Sequence, residues 1–256
     1  PKEEINMTKI KDFYRKQLLW SQQFIDVDMT ILYDDLVEKV VKQLSQSSGK
    51  LLELGAGNGQ FAVAAAKAGF DTTVIELVPE CVQQIRQLQE VHDVQDGLTI
   101  IEGDFYTVPL DDQFDVICYW DGFGVGSDED QQKLLTRINN WLVPGGLAFI
   151  DIYTPWYWAK TAGQKMKVQE IERVYEFEPF GCRMLDTWWV TSNPTEKITQ
   201  SLRCYSPADL ELLLPSKQLH LELIETGGSM DYENWVYEAQ VPLEQAMMYM
   251  AKLRKT

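Results

Sequence analysis

The sequence predicts an α/β fold: a doubly wound, mostly parallel, Rossmann-like sheet, with N-terminal helices and a small antiparallel β insertion late in the chain. Three observations predict it. Between Lys50 and Tyr153, short apolar runs alternate with stretches of helical period. Those runs are continuous rather than alternating, as in parallel strands covered on both faces. Beyond Tyr153 the pattern changes to period two, broken by turns at Pro179-Phe180-Gly181 and Ser192-Asn193-Pro194-Thr195.

The elements follow in order. Apolar residues at three- and four-residue spacing predict helices over Ile10–Phe24 and Met29–Leu44, the second closed by SQSSG. Strands are predicted at Lys50–Leu54, Thr72–Glu76, Thr99–Glu102, Phe114–Tyr119 and Leu147–Tyr153. The helices between them are Gln60–Ala68, Pro79–His92 and Asp128–Leu142, with Pro79 in a first turn, where its missing N–H leaves no bond unmade. Ser206 and Pro207 read as the N-cap and first residue of a helix reaching Leu214. Two further strands, Leu219–Glu225 and Trp235–Val241, flank Gly227-Gly228, and a helix from Leu243 is expected to end the chain. This gives four regions: a helical cap (1–48), a ligand-binding core (49–153), the antiparallel insertion (154–205) and the completion of the core (206–256).

Composition narrows the function. The net charge is −16, and residues 51–130 hold 16 acidic against 2 basic side chains. So acidic a chain is a poor match for nucleic acid, where Lys and Arg supply most of the affinity. No apolar run approaches the roughly 20 residues of a membrane span, and PKEEINMTKIKDFYRK lacks the apolar stretch of a signal peptide. The four cysteines have no C-x-x-C pair and no histidine at zinc-ligand spacing, so no metal is expected. They read as thiols in a reducing compartment, by default the cytoplasm.

The segment LLELGAGNGQFAVAAAKAGF carries most of the chemistry. A strand runs into Gly55, Gly57 and Gly59, with Asn58 between the last two, and then into an Ala-rich helix. Such a turn lets backbone approach a ligand and offers unpaired N–H groups. The dinucleotide fingerprint needs glycine where Gln60 stands. Instead Glu53 precedes the turn, and a carboxylate there repels pyrophosphate but can position an ammonium. Glu76 ends the next strand, suited to a ribose diol. Asp104 and Phe105 end the third, a carboxylate for an exocyclic amine beside a ring for a base. Trp120 and Asp121 end the fourth, and Asp151 and Tyr153 the fifth. Carboxyl ends of strands are where open α/β sheets bind ligands.

This ordered set resembles the class I S-adenosylmethionine-dependent methyltransferases of small-molecule type. ELGAGNG, Glu76, GDF at 103–105, FDVICYW and LVPGGLAFI match the family's motifs in order, from Lys50 to Tyr153. The resemblance implies that S-adenosylmethionine is the cofactor, with Gly55 and Gly57 lining its methionine moiety and Asn58 and Gly59 in the same turn. It implies Glu76 on the ribose, Leu77 against adenine, Asp104 and Phe105 at the adenine edge, and Trp120 by the methionyl end. Tyr14 and Trp20 lie on a helix expected to close over the cofactor, as N-terminal helices do in similar enzymes. An NAD-dependent oxidoreductase is the rival within the fold, and Gln60 tells against it.

Methyl transfer from a sulfonium is an in-line displacement, to which proximity and alignment contribute about 7–11 kcal/mol. Asp121, Asp151 and Tyr153 are placed to meet the acceptor, whereas His92 and His220 fall at a helix end and a strand start. Residues 153–205 hold 10 aromatics in 53 positions. Trp156, Trp158, Trp188 and Trp189 are therefore candidates for an acceptor wall, and only one of the adjacent pair can face it. The same rings would serve a sheet core or a dimer face, so monomer and homodimer both stay open. The chain lacks the Asn/Asp-Pro-Pro-aromatic run of enzymes that methylate base amines. The expectation is N- or O-methylation of a small molecule, with a preference for an amine; a catalytically silent S-adenosylmethionine-binding protein acting through a partner is the alternative.

Overall fold

Strand β1 (Lys50–Leu54) buries Leu51, Leu52 and Leu54 completely and sits at the centre of the sheet. On one side lie β2 (Asp71–Glu76) and β3 (Leu98–Glu102); on the other lie β4 (Phe114–Tyr119) and β5 (Leu142–Tyr153), all parallel. The computed structural model describes residues 7–45, 47–215 and 218–256. Beyond β5 come β13 (Met248–Lys255) and β10 (Leu219–Thr226), with β13 antiparallel to both neighbours. The order β10-β13-β5-β4-β1-β2-β3 reverses direction between β1 and β4. That switch point opens a crevice at the strands' carboxyl ends.

Helices α3 (Gln60–Lys67) and α4 (Pro79–Val91) cover the sheet beside the Gly-rich turn. Small side chains at Ala62, Ala64 and Ala65 let α3 bury its whole inner side. Gly59, its N-cap, adopts the left-handed φ of 80°, and a Cβ there would stand 2.8 Å from the Ile85 side chain of α4. Gly59→Ala therefore strains the backbone and the packing together. Urea unfolding is expected to show a loss of about 2–4 kcal/mol; no measurable loss would contradict this packing.

Reciprocal Ser–Asp capping boxes start α5 (Asp128–Trp141) at Ser127/Asp130 and α7 (Pro207–Leu213) at Ser206/Asp209. Between β5 and α7 the chain forms α6 (Pro155–Thr161) and a four-stranded antiparallel sheet. Its strands are β6 (Lys165–Val168), β7 (Ile171–Glu178), β8 (Arg183–Val190) and β9 (Asn193–Arg203). Helix α1 (Met7–Phe24) ties this sheet to the main one: Lys16 pairs with Glu196 of β9, and Arg15 with Glu80 of α4. The Arg203 N–H bonds the Gly124 carbonyl at 2.9 Å, anchoring the end of β9 beside the crevice.

Several sequence expectations are corrected. The closing helix from Leu243 is one 3₁₀ turn (Leu243–Gln245) followed by β13. Its Met, Ala, Lys and Leu favour a helix, but Tyr249, Ala251 and Leu253 bury on one face and Met250 on the other. Burial on both faces overrides local propensity. The expected Met29–Leu44 helix shrinks to α2 (Asp34–Val41), because the Asp28 carboxylate accepts from both the N–H and the hydroxyl of Thr30 and folds the segment before it into a turn. The Trp235–Val241 strand is shorter, β12 (Val236–Glu238), and pairs with β11 (Ser229–Asp231) as a separate hairpin. Helix α6 and strand β6 were not predicted. Among the described residues no helix is long and apolar enough to cross a membrane.

Candidate cofactor and acceptor cleft

At the switch point, Gly55, Gly57 and Gly59 all take left-handed φ values, 61°, 54° and 80°. A Cβ on Gly57 would meet nothing within 4 Å, so its backbone borders open space. The Gly57 N–H donates to Glu76 Oε2 at 2.8 Å, and the Val78 N–H donates to Oε1 at the same distance. Glu76 thus locks the turn to the tip of β2 while each oxygen keeps a lone pair for a diol. Burial pushes its pKa up, against the pull of these N–H donors.

Glu53 is 3% exposed, and its Oε2 has no hydrogen-bond partner among the described residues. Burial pushes its pKa well up, and the charge of Glu76 adds to this. An orphaned carboxylate oxygen costs about 1–3 kcal/mol, and a ligand ammonium would satisfy it. The Trp120 indole N–H is likewise buried without a partner, its ring edge-on to Phe61 at 5.1 Å. Asp104 Oδ1 accepts from the Tyr106 N–H at 2.8 Å, which fixes the loop after β3. The Phe105 ring lies 4.8 Å from that of Tyr106 and 5.4 Å from Tyr119. Two strand-end carboxylates and an apolar wall of Leu77 and Phe105 in the cleft, with the buried orphan acid Glu53 outside its lining, are groups of the kinds that S-adenosylmethionine would need.

Helix α1 closes this cleft with Met7, Ile10 and Tyr14. Gln200 Nε2 donates to the Tyr14 hydroxyl at 2.5 Å, joining α1 to β9 over the cleft. Burial, then the charge of Asp121, push the Tyr14 pKa above its ordinary value. Trp20 is not there. It packs with Phe13, Trp188 and Ile198 against the antiparallel sheet. Phe13 and Trp20, seven apart, share one helix stripe, whereas Ile10 and Tyr14 share another. Asn58 and Gly59 complete the turn but stay outside the cleft lining, with Gly59 turned to Ile85.

Asp121 follows β4 with a left-handed φ of 53°, a conformation Asp tolerates better than most side chains. The Tyr153 hydroxyl donates to its Oδ1. Asp121 is open to the cleft, yet the cleft is walled by protein, and this desolvation pushes its pKa up. The Tyr153 hydrogen bond and the Arg173 charge pull it back. Asp151 stands behind the cleft lining, its pKa pushed up to about 7 by burial and then by Asp121, with Lys39 opposing.

That shift has a stability consequence. A folded-state pKa near 7 exceeds the unfolded value of about 3.9, so the native state binds the extra proton between these limits. Stability is then lost as pH rises from about 4 to 7. Asp151→Asn removes the titration and is expected to be more stable than the parent at pH 8 by about 1–3 kcal/mol. The gain should vanish near pH 4; equal gains at both pH values in urea unfolding would contradict a buried Asp151.

The four tryptophans separate. Trp158 is buried behind Tyr153, 5.2 Å ring to ring, and its Nε1 donates to the Met247 carbonyl. Trp156 turns to the Leu243 carbonyl and lines a different depression beside β11 and β12. Trp188 faces inward and bonds Asp186 Oδ2 at 2.8 Å, while Trp189 faces outward under Lys197. Sequence reasoning missed Tyr106 and Tyr119 in the cleft lining and the Arg173–Asp186 pair beside it. The pair had a signal: Arg173 alternates with Tyr175, and Asp186 with Trp188, at period two.

A methyltransferase-domain family matches residues 27–224 of the chain. The chain is 28% identical over 120 residues to a cypemycin N-terminal methyltransferase from Streptomyces sp, covering 46% of this chain and 47% of that protein. It is 24% identical over 222 residues to a ubiquinone biosynthesis O-methyltransferase from Xylella fastidiosa, covering 84% and 77%. It spans less than half the length of the first several curated relatives it matches. Its fold is similar to that of the CcbJ methyltransferase from Streptomyces caelestis, with a TM-score of 0.75 at 16% identity over 95% of this chain and 98% of the other. With its switch-point cleft and ordered strand-end acids, the chain belongs to the methyltransferase-domain family, the class I S-adenosylmethionine-dependent methyltransferases.

Proposed function

We propose that the chain transfers a methyl group from S-adenosylmethionine to a small-molecule acceptor, with an amine preferred. The observation that carries this is Asp121: a carboxylate open to a walled cleft, oriented by Tyr153 and beside the acidic Asp151. A desolvated site with an excess of negative charge favours a cationic acceptor.

When bound, S-adenosylmethionine supplies a methyl group already activated by the sulfonium charge. Glu76 would hold the ribose, Asp104 and Phe105 the adenine, and Glu53 the amino group. Asp121 holds the acceptor nitrogen through its N–H and takes the proton at a carboxylate oxygen, leaving the lone pair free. Its raised pKa suits it to that exchange. Tyr153 keeps the carboxylate aimed, and α1 with the antiparallel sheet excludes water. In this reading the sheet is a roof over the acceptor, with only Trp188 of the four candidate tryptophans on its inner face. The chain acts as a monomer or homodimer in the cytoplasm, a setting supported by four free cysteines, without nucleic-acid or membrane partners.

The test is incubation with S-adenosylmethionine and a panel of small amines and phenols, with products identified by mass spectrometry. N-methylated products are expected. Methylation of phenols alone would overturn the preference for an amine.

A further inference from the structure

The register of the antiparallel sheet sets Arg173 opposite Trp188, Tyr175 opposite Asp186, and Asp186 opposite Gln200. Because side chains alternate, these five share one face. Gln200 shows where that face points, since it bonds the Tyr14 hydroxyl that lines the cleft. Arg173 and Asp186 therefore stand on the face turned toward the cleft, just outside the residues that line it. The Arg173 charge reaches Asp121 and Tyr153, pulling the Asp121 pKa down.

Arg173 is held rigidly. Its Nε and Nη2 donate to the two oxygens of Asp186 at 3.2 and 2.5 Å. Its guanidinium lies 4.2 Å from the Trp188 ring centroid and 5.1 Å from that of Tyr175. Asp186, 3% exposed, takes a third bond from the Trp188 indole. Arg173 is not used up in the same way: 23% of its side chain is exposed, and Nη1 has no hydrogen-bond partner among the described residues. The rest of this face is apolar, with Ile171, Val190 and Ile198 buried around the pair. An ion pair in such a setting loses hydration that its attraction often fails to repay, so a mere brace is better built from apolar side chains. Asp186, Trp188 and Tyr175 instead set a planar cationic fork with donors to spare, the geometry that matches a carboxylate.

We infer that Arg173 anchors a carboxylate of the acceptor, so that the acceptor is a small amino acid-like zwitterion with its amine at Asp121 and its acid group at Arg173. This rests on the methyl-transfer reading above and narrows it to a substrate class. Arg173 is then a specificity-determining residue, and Asp186 a positioning residue that acts through it.

The test is a calorimetric titration of protein saturated with S-adenosylhomocysteine. The probes are unbranched ω-amino acids from glycine to 6-aminohexanoate, each matched with the n-alkylamine of the same carbon number. At least one amino acid is expected to bind 10-fold or more tightly than its alkylamine. Arg173→Met combined with Asp186→Leu, which leaves no buried charge unpaired, should abolish that advantage and change S-adenosylhomocysteine affinity less than threefold. The inference is overturned if alkylamines bind as well as every amino acid, if no probe binds although S-adenosylhomocysteine does, or if the advantage survives in a folded double variant. The wild-type comparison decides alone should the variant not fold. Failure of S-adenosylhomocysteine itself to bind would strike the methyl-transfer reading instead.

Discussion

Replacing Glu76 with alanine is expected to weaken S-adenosylhomocysteine binding by about 100-fold or more in a calorimetric titration. Hydrogen bonds to a charged group contribute roughly 1.5–3 kcal/mol each, and a ribose diol makes two with this carboxylate. Two at the lower value already exceed a factor of 100. The same substitution frees the Gly57 and Val78 N–H groups that Glu76 holds at 2.8 Å, so the turn loosens as the contact is lost. Glu76→Gln retains one acceptor and should fall between alanine and the parent. Unchanged affinity in the alanine variant would contradict the ribose role.

Asp121→Asn is expected to lower kcat by about 10²–10³, with S-adenosylhomocysteine affinity within threefold of the parent. Asparagine tolerates the left-handed backbone at φ 53° as aspartate does, so the loop keeps its shape. What is lost is the anion that holds the amine and accepts its proton. Tyr153→Phe removes only the donor that orients Asp121 and should cost about tenfold. A kcat for Asp121→Asn within fivefold of the parent would mean that the acceptor arrives already deprotonated and needs no base.

The cofactor half of the cleft was legible in the sequence because its signals are local. Each parallel strand from β1 to β4 carries a short apolar stretch without strict alternation, and Glu76, Asp104 and Asp121 are marked by falling at or just beyond a strand's end. The acidity concentrated in residues 51–130 gains meaning the same way, since Glu76, Asp104 and Asp121 line the cleft, Glu53 is buried beside the turn, and most of the others lie at the surface. The second half depends on contacts distant in sequence. Met248–Lys255 buries both faces, and so shows no alternation to distinguish strand from helix. Tyr14 and Trp20 are both aromatic residues of one helix, and only the placement of the antiparallel sheet decides that Tyr14 meets the cleft and Trp20 the sheet. For Arg173 the period-two pattern marks only its face, and the pairing register is what sets it beside Asp186.

The central claim is that this cleft moves a methyl group onto a small amine. Its most direct test is incubation of the protein with methyl-labelled S-adenosylmethionine and a metabolite extract, followed by separation by mass. Label is predicted in the low-mass fraction, on nitrogen, and strongly reduced when the Asp121→Asn variant replaces the parent. Label in the macromolecular fraction, or none in either while S-adenosylhomocysteine binds, would contradict it; the second result would mark a silent binder acting through a partner.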